Sequence, residues 1–151
     1  MTQKTCSCDF TSAKGRGGKN ITRLSRFKPN FSWTGIKSEE YKAEGEDWVD
    51  IVRHGLIGNQ GETTKFHLRY FEIAPDGHSS FEWHNHEHVV ICIRGRGICL
   101  AGKKKYQIGF LDTLYIEPKM PHQLRNPFDE PFGFFCIVNA KRDKPKKVLK
   151  A

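Results

Sequence analysis

From Val49 onward, apolar and polar residues alternate in short runs separated by turn signals, the period of half-buried strands. Val49–Gly55 reads as a first strand, followed by a turn at Gly58-Asn59-Gln60-Gly61. Lys65–Ile73, rich in aromatic and β-branched residues, forms the next and stops at Pro75-Asp76-Gly77, a strong turn signal. Ser80–His88 and Val89–Arg94 follow as one nearly continuous strand, broken by Gly95-Arg96-Gly97. Ile98–Leu100 begins the return, with a hairpin tip at Ala101-Gly102-Lys103 leading into Lys104–Ile108. Leu111–Ile116, Gln123–Asn126 and Gly133–Asn139 complete the set, the last two separated by a loop over Asn126–Pro131. Many short strands and no long amphipathic helix predict an all-β sandwich or barrel of antiparallel strands.

The first 48 residues look different. Up to residue 30 the chain is rich in Gly, Ser, Lys and Arg (Lys14-Gly15-Arg16-Gly17-Gly18-Lys19) and reads as a poorly ordered arm. Phe31 and Trp33 offer aromatic surface to pack on the body, and Ser38–Glu44 suggests one or two helical turns after a Ser cap. The expected organisation is a partly ordered arm over 1–48, a barrel over 49–140 and a basic tail over 141–151. A chain of 151 residues suffices for one such domain without cross-links.

Charge sharpens this division. Residues 1–30 carry seven Lys/Arg against one acid, and 141–151 six against one, while the intervening 110 residues are mildly acidic. Basic ends bind nucleic acid without sequence preference, but the body shows neither a recognition helix nor an RNA-binding aromatic motif. Solvated tails are the expected reading, with no nucleic-acid partner. No apolar run reaches the ~20 residues of a membrane span, and Met1–Cys6 lacks the apolar stretch of a secretory signal. A cytoplasmic protein is expected, with no membrane partner. Five cysteines at irregular spacing, including Cys6 and Cys8, fit free thiols rather than a disulfide framework.

The chemistry concentrates in His84-Asn85-His86-Glu87-His88 and in His122, thirty-four residues later. A strand repeats every two residues, so the first three imidazoles would leave one face together. Inward positions from different strands face a common axis in a small barrel, which would bring His122 to the same ion. Imidazole suits Zn, Fe, Cu and Ni, so the pattern predicts a divalent metal without identifying it. Glu82 shares the parity of the histidines and is a possible carboxylate ligand, whereas Glu87 should point outward. His54, His67 and His78 show no such grouping. Tyr115 and Tyr70 are candidates for a general acid near the pocket, with packing as the alternative. Arg125 and Arg69 are candidates to hold a carboxylate substrate, with a rim salt bridge as the alternative. Cys92 and Cys136 read as small buried hydrophobes. Phe66, Phe71, Phe81, Trp83, Phe110 and Phe135 read as core or pocket lining.

Gly77–Gly97, with Pro75-Asp76-Gly77, His84-x-His86 and the closing Gly95-x-Gly97, resembles the first signature of the cupin superfamily. Gly109–Asn126, with Pro118, Pro121 and His122, resembles the second. The likeness covers about residues 50–140 and implies a double-stranded β-helix, the jelly-roll or cupin barrel, with a metal near its centre. Carried over, the metal ligands are His84, His86 and His122, and His88 stands where the family has a glutamate. Leu111, Glu117 and Lys119 stand where the family favours Gly, Pro and Gly. The resemblance implies a metal-binding cupin acting on a small organic molecule with Fe, Zn, Ni, Mn or Cu. Dioxygenase-like oxidation is the first expectation. A metal-dependent isomerase or lyase, or a non-catalytic binding or sensor module, is the alternative. A homodimer and a small-molecule ligand or substrate are the partners that it implies.

Overall fold

In a computed structural model the chain is described over residues 21–41 and 48–149. The Cys6 and Cys8 thiols, the Lys14–Lys19 run and the Lys42–Glu44 end of the expected helical turns lie outside these residues. Among the described residues thirteen strands follow in order: β1 Phe27–Lys28, β2 Ser32–Trp33, β3 Ser38–Glu40, β4 Val49–Ile57, β5 Phe66–His78, β6 Glu82–Trp83, β7 His88–Arg94, β8 Gly97–Ala101, β9 Lys104–Ile108, β10 Thr113–Ile116, β11 His122–Arg125, β12 Phe132–Asn139 and β13 Lys146–Lys147. No α-helix occurs among the described residues. None is therefore long and apolar enough to cross a membrane.

Two leaves of antiparallel strands face each other, as a jelly roll requires. One runs β3-β4-β5-β12-β7-β10 and the other β9-β8-β11-β6-β13. They join at β5, whose His78 end pairs with Arg125 of β11. Alternation places Ile51, Phe71, Ile73, Val90, Cys92, Ile116, Phe134, Cys136 and Val138 in a shared core between the leaves. Burying these apolar side chains from both leaves is what closes the barrel.

Three local expectations give way to long-range pairing. Pro75-Asp76-Gly77 does not end its strand, because β5 continues to His78. Asp76 instead takes a left-handed φ of 66°, and its N–H donates to the Asn126 carbonyl at 2.8 Å, so the turn signal becomes a kink that carries β5 between leaves. Ser38–Glu40 is a strand, not a helical turn. It covers the edge of β4, with Glu39 opposite Arg53, and the Tyr41 N–H donates to the Ile51 carbonyl at 3.0 Å. The strand expected over Ser80–His88 breaks after Trp83 and resumes at His88.

Gly95 and Gly97 are required by close approach. A β-carbon on Gly95, at φ 60°, would lie 2.3 Å from the Pro131 carbonyl oxygen. One on Gly97 would lie 2.1 Å from the ring of fully buried Phe132. Phe71 is core as expected, but Phe66 and Phe110 are exposed, and Phe135 packs with Trp33 and Tyr70. Trp83 is half-buried, with the Lys146 ammonium over its ring. The basic segment after Lys141 also packs on the barrel, since Lys146 and Lys147 pair with β6.

Candidate metal centre

His88 sits on β7 opposite Ile116, and His122 opens β11 opposite Glu82. His84 lies in the break between β6 and β7, where its carbonyl accepts the Lys119 N–H at 2.7 Å. The ring nitrogens of His84, His88 and His122 include one from each residue that all lie within 4.8 Å of one another. His84 and His122 are buried and His88 is half-buried.

The hydrogen bonds of these rings decide which nitrogen faces the centre. His84 Nδ1 donates to the His86 carbonyl at 2.8 Å, and His122 Nδ1 donates to the Met120 carbonyl at 2.8 Å. A carbonyl only accepts, so both rings carry their proton on Nδ1 and leave the Nε2 lone pair for a ligand. His88 Nδ1 lies 3.1 Å from Cys136 Sγ, and its Nε2 lies 2.6 Å from His84 Nε2. Anchoring the far nitrogen in this way is how metal-binding imidazoles are held in orientation. The donor set therefore fits a divalent cation: three imidazoles, oriented and convergent, and able to hold a metal ion.

Burial keeps them uncharged. Loss of water pushes His84 down to about 4, helped by the neighbouring His86 and His122. His88 is driven far below the ordinary imidazole range by burial first, then by His122 and His84. His122 is lowered by burial, against the opposing pull of the Met120 carbonyl and Glu82. Neutral rings at ordinary pH are what a metal requires.

His86, expected as a ligand by parity and by resemblance, is not in this group. Its ring stacks on His84 at 3.8 Å, and its Nδ1 lies 2.9 Å from Asp143 Oδ1. The parity argument holds only within a strand and does not reach His86, whose buried ring lines the same cavity as the other three. Asp143 also accepts the Asn85 N–H with both oxygens at 3.0 Å, tying the histidine loop to the C-terminal segment. Sequence reasoning passed over Asp143, although it is the one acid in the basic stretch 141–151.

The cluster lines a cavity whose wall includes Glu82, Arg53, Arg69, Arg142, Cys136 and Tyr41. Glu82 Oε2 accepts the Ser80 hydroxyl at 2.6 Å. Cys92 is core, with Sγ directed at the Arg94 and Gly95 carbonyls, whereas Cys136 reaches the cavity. Burial raises the Cys136 thiol, opposed by Arg69, so it is held as a thiol.

Of Tyr70, Tyr115, Arg69 and Arg125, Arg69 lines this cavity and the others do not. Tyr70 is fully buried on the far side of its strand, against Phe31, Trp33 and His54, with its hydroxyl donating to Glu72 at 2.7 Å. Burial and the Glu72 carboxylate push its phenol well above the usual tyrosine range. Tyr115 is 64% exposed and lines a separate surface hollow with Lys103 and Met120. Arg125 is exposed and donates to Gln123 Oε1 at 2.6 Å. His54 packs on Trp33 and Tyr70, His67 lies 3.2 Å from Arg142 Nη1, and His78 lies 3.0 Å from the Ser79 carbonyl.

Comparison with known proteins agrees with this architecture. The cupin domain family model matches residues 69–138. The chain is 39% identical over 121 residues to the 1-methylthio-D-xylulose 5-phosphate methylsulfurylase of Rhodospirillum rubrum, covering 80% of this chain and 76% of the relative. A crystal structure of a cupin-2 domain from the same organism superposes with a TM-score of 0.74 at 35% identity, covering 84% of each chain. A cupin 2 conserved barrel protein from Rhodopseudomonas palustris superposes with a TM-score of 0.75 at 31% identity, covering 83% of this chain and 86% of that one.

Proposed function

This chain belongs to the cupin superfamily, and from that premise we propose that it is a metal-dependent enzyme acting on a small phosphorylated ketose that carries a thioether. The reaction it supports is cleavage of a carbon–sulfur bond to release a methylthio group, a reading suggested by the name of its relative, the 1-methylthio-D-xylulose 5-phosphate methylsulfurylase of Rhodospirillum rubrum. The observation that carries this reading is the convergence of His84, His88 and His122 on one point in a cavity also lined by three arginines.

Each part of the site has work in such a reaction. His84, His88 and His122 would hold a divalent ion, leaving positions open for substrate oxygens. When bound, that ion supplies Lewis-acid polarisation of a carbonyl and stabilises the charge that develops beside it. Glu82, across from His122 in the cavity wall, is placed to move a proton. The Phe71, Val90 and Phe134 walls exclude water and strengthen every polar contact inside. Replacing carbon–sulfur by carbon–hydrogen takes up two electrons and two protons: one thiol takes the methylthio group as a mixed disulfide, and a second frees it as methanethiol, the two thiols ending as a disulfide.

The test is to load the purified chain with Mn, Fe, Co, Ni or Zn in turn and supply 1-methylthio-xylulose 5-phosphate with a small thiol. Metal-dependent release of the methylthio group, as methanethiol or as its mixed disulfide with the thiol, supports the proposal; stoichiometric metal with neither product under any loading overturns the assigned reaction. A second reading, dioxygenase-like oxidation, is favoured by the neutral all-imidazole group, which suits iron and dioxygen. Oxygen uptake by the iron-loaded protein on a thiol or diketone panel, without methanethiol release, would decide for it.

A further inference from the structure

Arg69 is a guanidinium buried where a carboxylate partner would be expected and none is described. It projects from β5 into the barrel, 7% exposed, with its backbone opposite Cys136. Its Nη2 donates to Cys136 Sγ at 3.3 Å, and its guanidinium lies 5.0 Å from the Phe71 ring centroid. Its Nε is buried with no hydrogen-bond partner. Among the described residues no carboxylate pairs with it. A buried guanidinium in that condition is costly unless an anion completes the site.

Two further arginines line the same cavity. Arg142 donates to the Asn139 carbonyl at 3.0 Å and lies 3.2 Å from His67 Nδ1, again with no described carboxylate. Arg53 is paired with Glu39 at 2.7 Å, yet its Nε too is buried without a partner. Burial and the positive charges of Arg69 and Arg53 all lower the Arg142 guanidinium, so the three arginines share one field. The acids of the cavity wall are already engaged, Glu82 with Ser80 and Asp143 with Asn85 and His86. Counting Glu39 with Arg53, the three cations and three acids roughly balance. A divalent ion on the histidines then adds two positive charges that nothing in the wall offsets.

Distance links this group to the metal centre. Cys136 Sγ touches both Arg69 Nη2 at 3.3 Å and His88 Nδ1 at 3.1 Å, so a single sulfur atom separates guanidinium from imidazole. A short chain of carbons with a carbonyl at one end and an anion at the other would span them.

We infer that Arg69 and Arg142, with Arg53 beside them, form the subsite that takes the phosphate dianion of the substrate. The inference rests on the proposed metal-centred function and adds the residues that select a phosphomonoester. Guanidinium and phosphate match in planar, two-point hydrogen bonding, and two arginines match the two charges. A carboxylate would satisfy only one of them.

The experiment uses the full chain loaded with Mn²⁺, its metal content measured first. Isothermal titration at fixed ionic strength compares inorganic phosphate, xylulose 5-phosphate, xylulose and glycolate. The same titrations are run on Arg69→Gln, Arg69→Lys and Arg142→Gln. Phosphate and xylulose 5-phosphate should bind the wild-type chain and outcompete xylulose and glycolate. Arg69→Gln and Arg142→Gln should each weaken phosphate roughly tenfold or more, with Arg69→Lys intermediate and metal content unchanged. Arg142 contacts only a carbonyl and a half-buried histidine, so its variant decides the matter if Arg69→Gln fails to fold. Unchanged phosphate binding in both glutamine variants, or equal binding of glycolate, overturns the subsite while leaving the metal centre standing. Failure of the wild-type chain to hold metal removes the proposed function, and is read independently of phosphate binding.

Discussion

His84 and His88 meet Nε2 to Nε2 at 2.6 Å. His84 Nδ1 donates to the His86 carbonyl, so its Nε2 offers only a lone pair. Without a cation, a proton on His88 Nε2 must fill the gap; both nitrogens, with His122, would hold a divalent ion in its place. His86 has its Nδ1 engaged by Asp143 and stands outside this group. Single alanine substitutions therefore separate the four. His84→Ala, His88→Ala and His122→Ala should each lose stoichiometric metal, whereas His86→Ala should retain it. Metal analysis after gel filtration reads this directly. Retention of metal by His88→Ala together with its loss by His86→Ala would restore the ligand set implied by the cupin signatures, His84, His86 and His122.

Acid should destabilise the metal-free protein before any carboxylate titrates. The folded His84 is held near 4, and His88 and His122 are lowered in the same direction, whereas unfolded imidazoles titrate near 6.5. Between those values the unfolded chain binds more protons. Stability from His84 is complete above about pH 6.5 and lost as pH falls towards 4. Discounted for water at the cavity mouth, His84 alone contributes on the order of 2 kcal/mol. Urea unfolding in chelator should show the midpoint falling between about pH 7 and pH 5. His84→Asn should flatten that slope, and a slope unchanged by it would sink the assignment.

Much of the barrel was legible because alternation reports which face of a strand is buried, and Phe71, Val90, Cys92 and Cys136 obey it. His84 and His122 were singled out by the two cupin signatures rather than by alternation, since His84 lies in the break after Trp83. Alternation does not settle where the His86 ring stands, because periodicity extends only as far as the strand, and here the strand stops at Trp83. The kink at Asp76 and the strand at Ser38–Glu40 were hidden in another way. Each is settled by a distant partner, Asn126 in one case and β4 in the other. The roles of Asp143 and Arg142 are likewise invisible to local pattern, since they depend on the C-terminal segment lying against the histidine loop.

Asp143 makes that segment part of the site. Its two oxygens accept the Asn85 N–H, and one also meets His86 Nδ1. These bonds hold its carboxyl below the usual aspartate range. Asp143→Ala should leave the fold intact but release the loop over residues 84–87. Hydrogen exchange at the Asn85 amide should accelerate strongly, and metal affinity should fall roughly tenfold or more, as for groups that orient ligands indirectly. Asp143→Asn, which keeps an acceptor oxygen, should recover part of both. Unaltered exchange at Asn85 in the alanine variant would show that the segment only rests on the loop.

Leu111 and Lys119 stand where the family favours glycine, yet both keep glycine's backbone, with φ of 65° and 66°. A side chain in the left-handed region costs roughly 1–2 kcal/mol through the clash of its β-carbon. Two amide bonds hold them there. The Leu111 N–H donates to the Cys92 carbonyl at 2.8 Å, and the Lys119 N–H donates to the His84 carbonyl at 2.7 Å. Neither side chain compensates by burial, since Leu111 is 62% exposed and Lys119 is exposed too. Glycine would relieve the strain, keep both amide bonds, and give back part of the gain through its freer unfolded state. Leu111→Gly and Lys119→Gly should each stabilise the chain by about 0.5–1 kcal/mol, read as a higher urea midpoint at unchanged slope. Because the sites lie on separate loops, the double variant should add the two gains. A loss of stability at Lys119 alone would mean that its side chain, rather than its amide, supports the loop beneath His84.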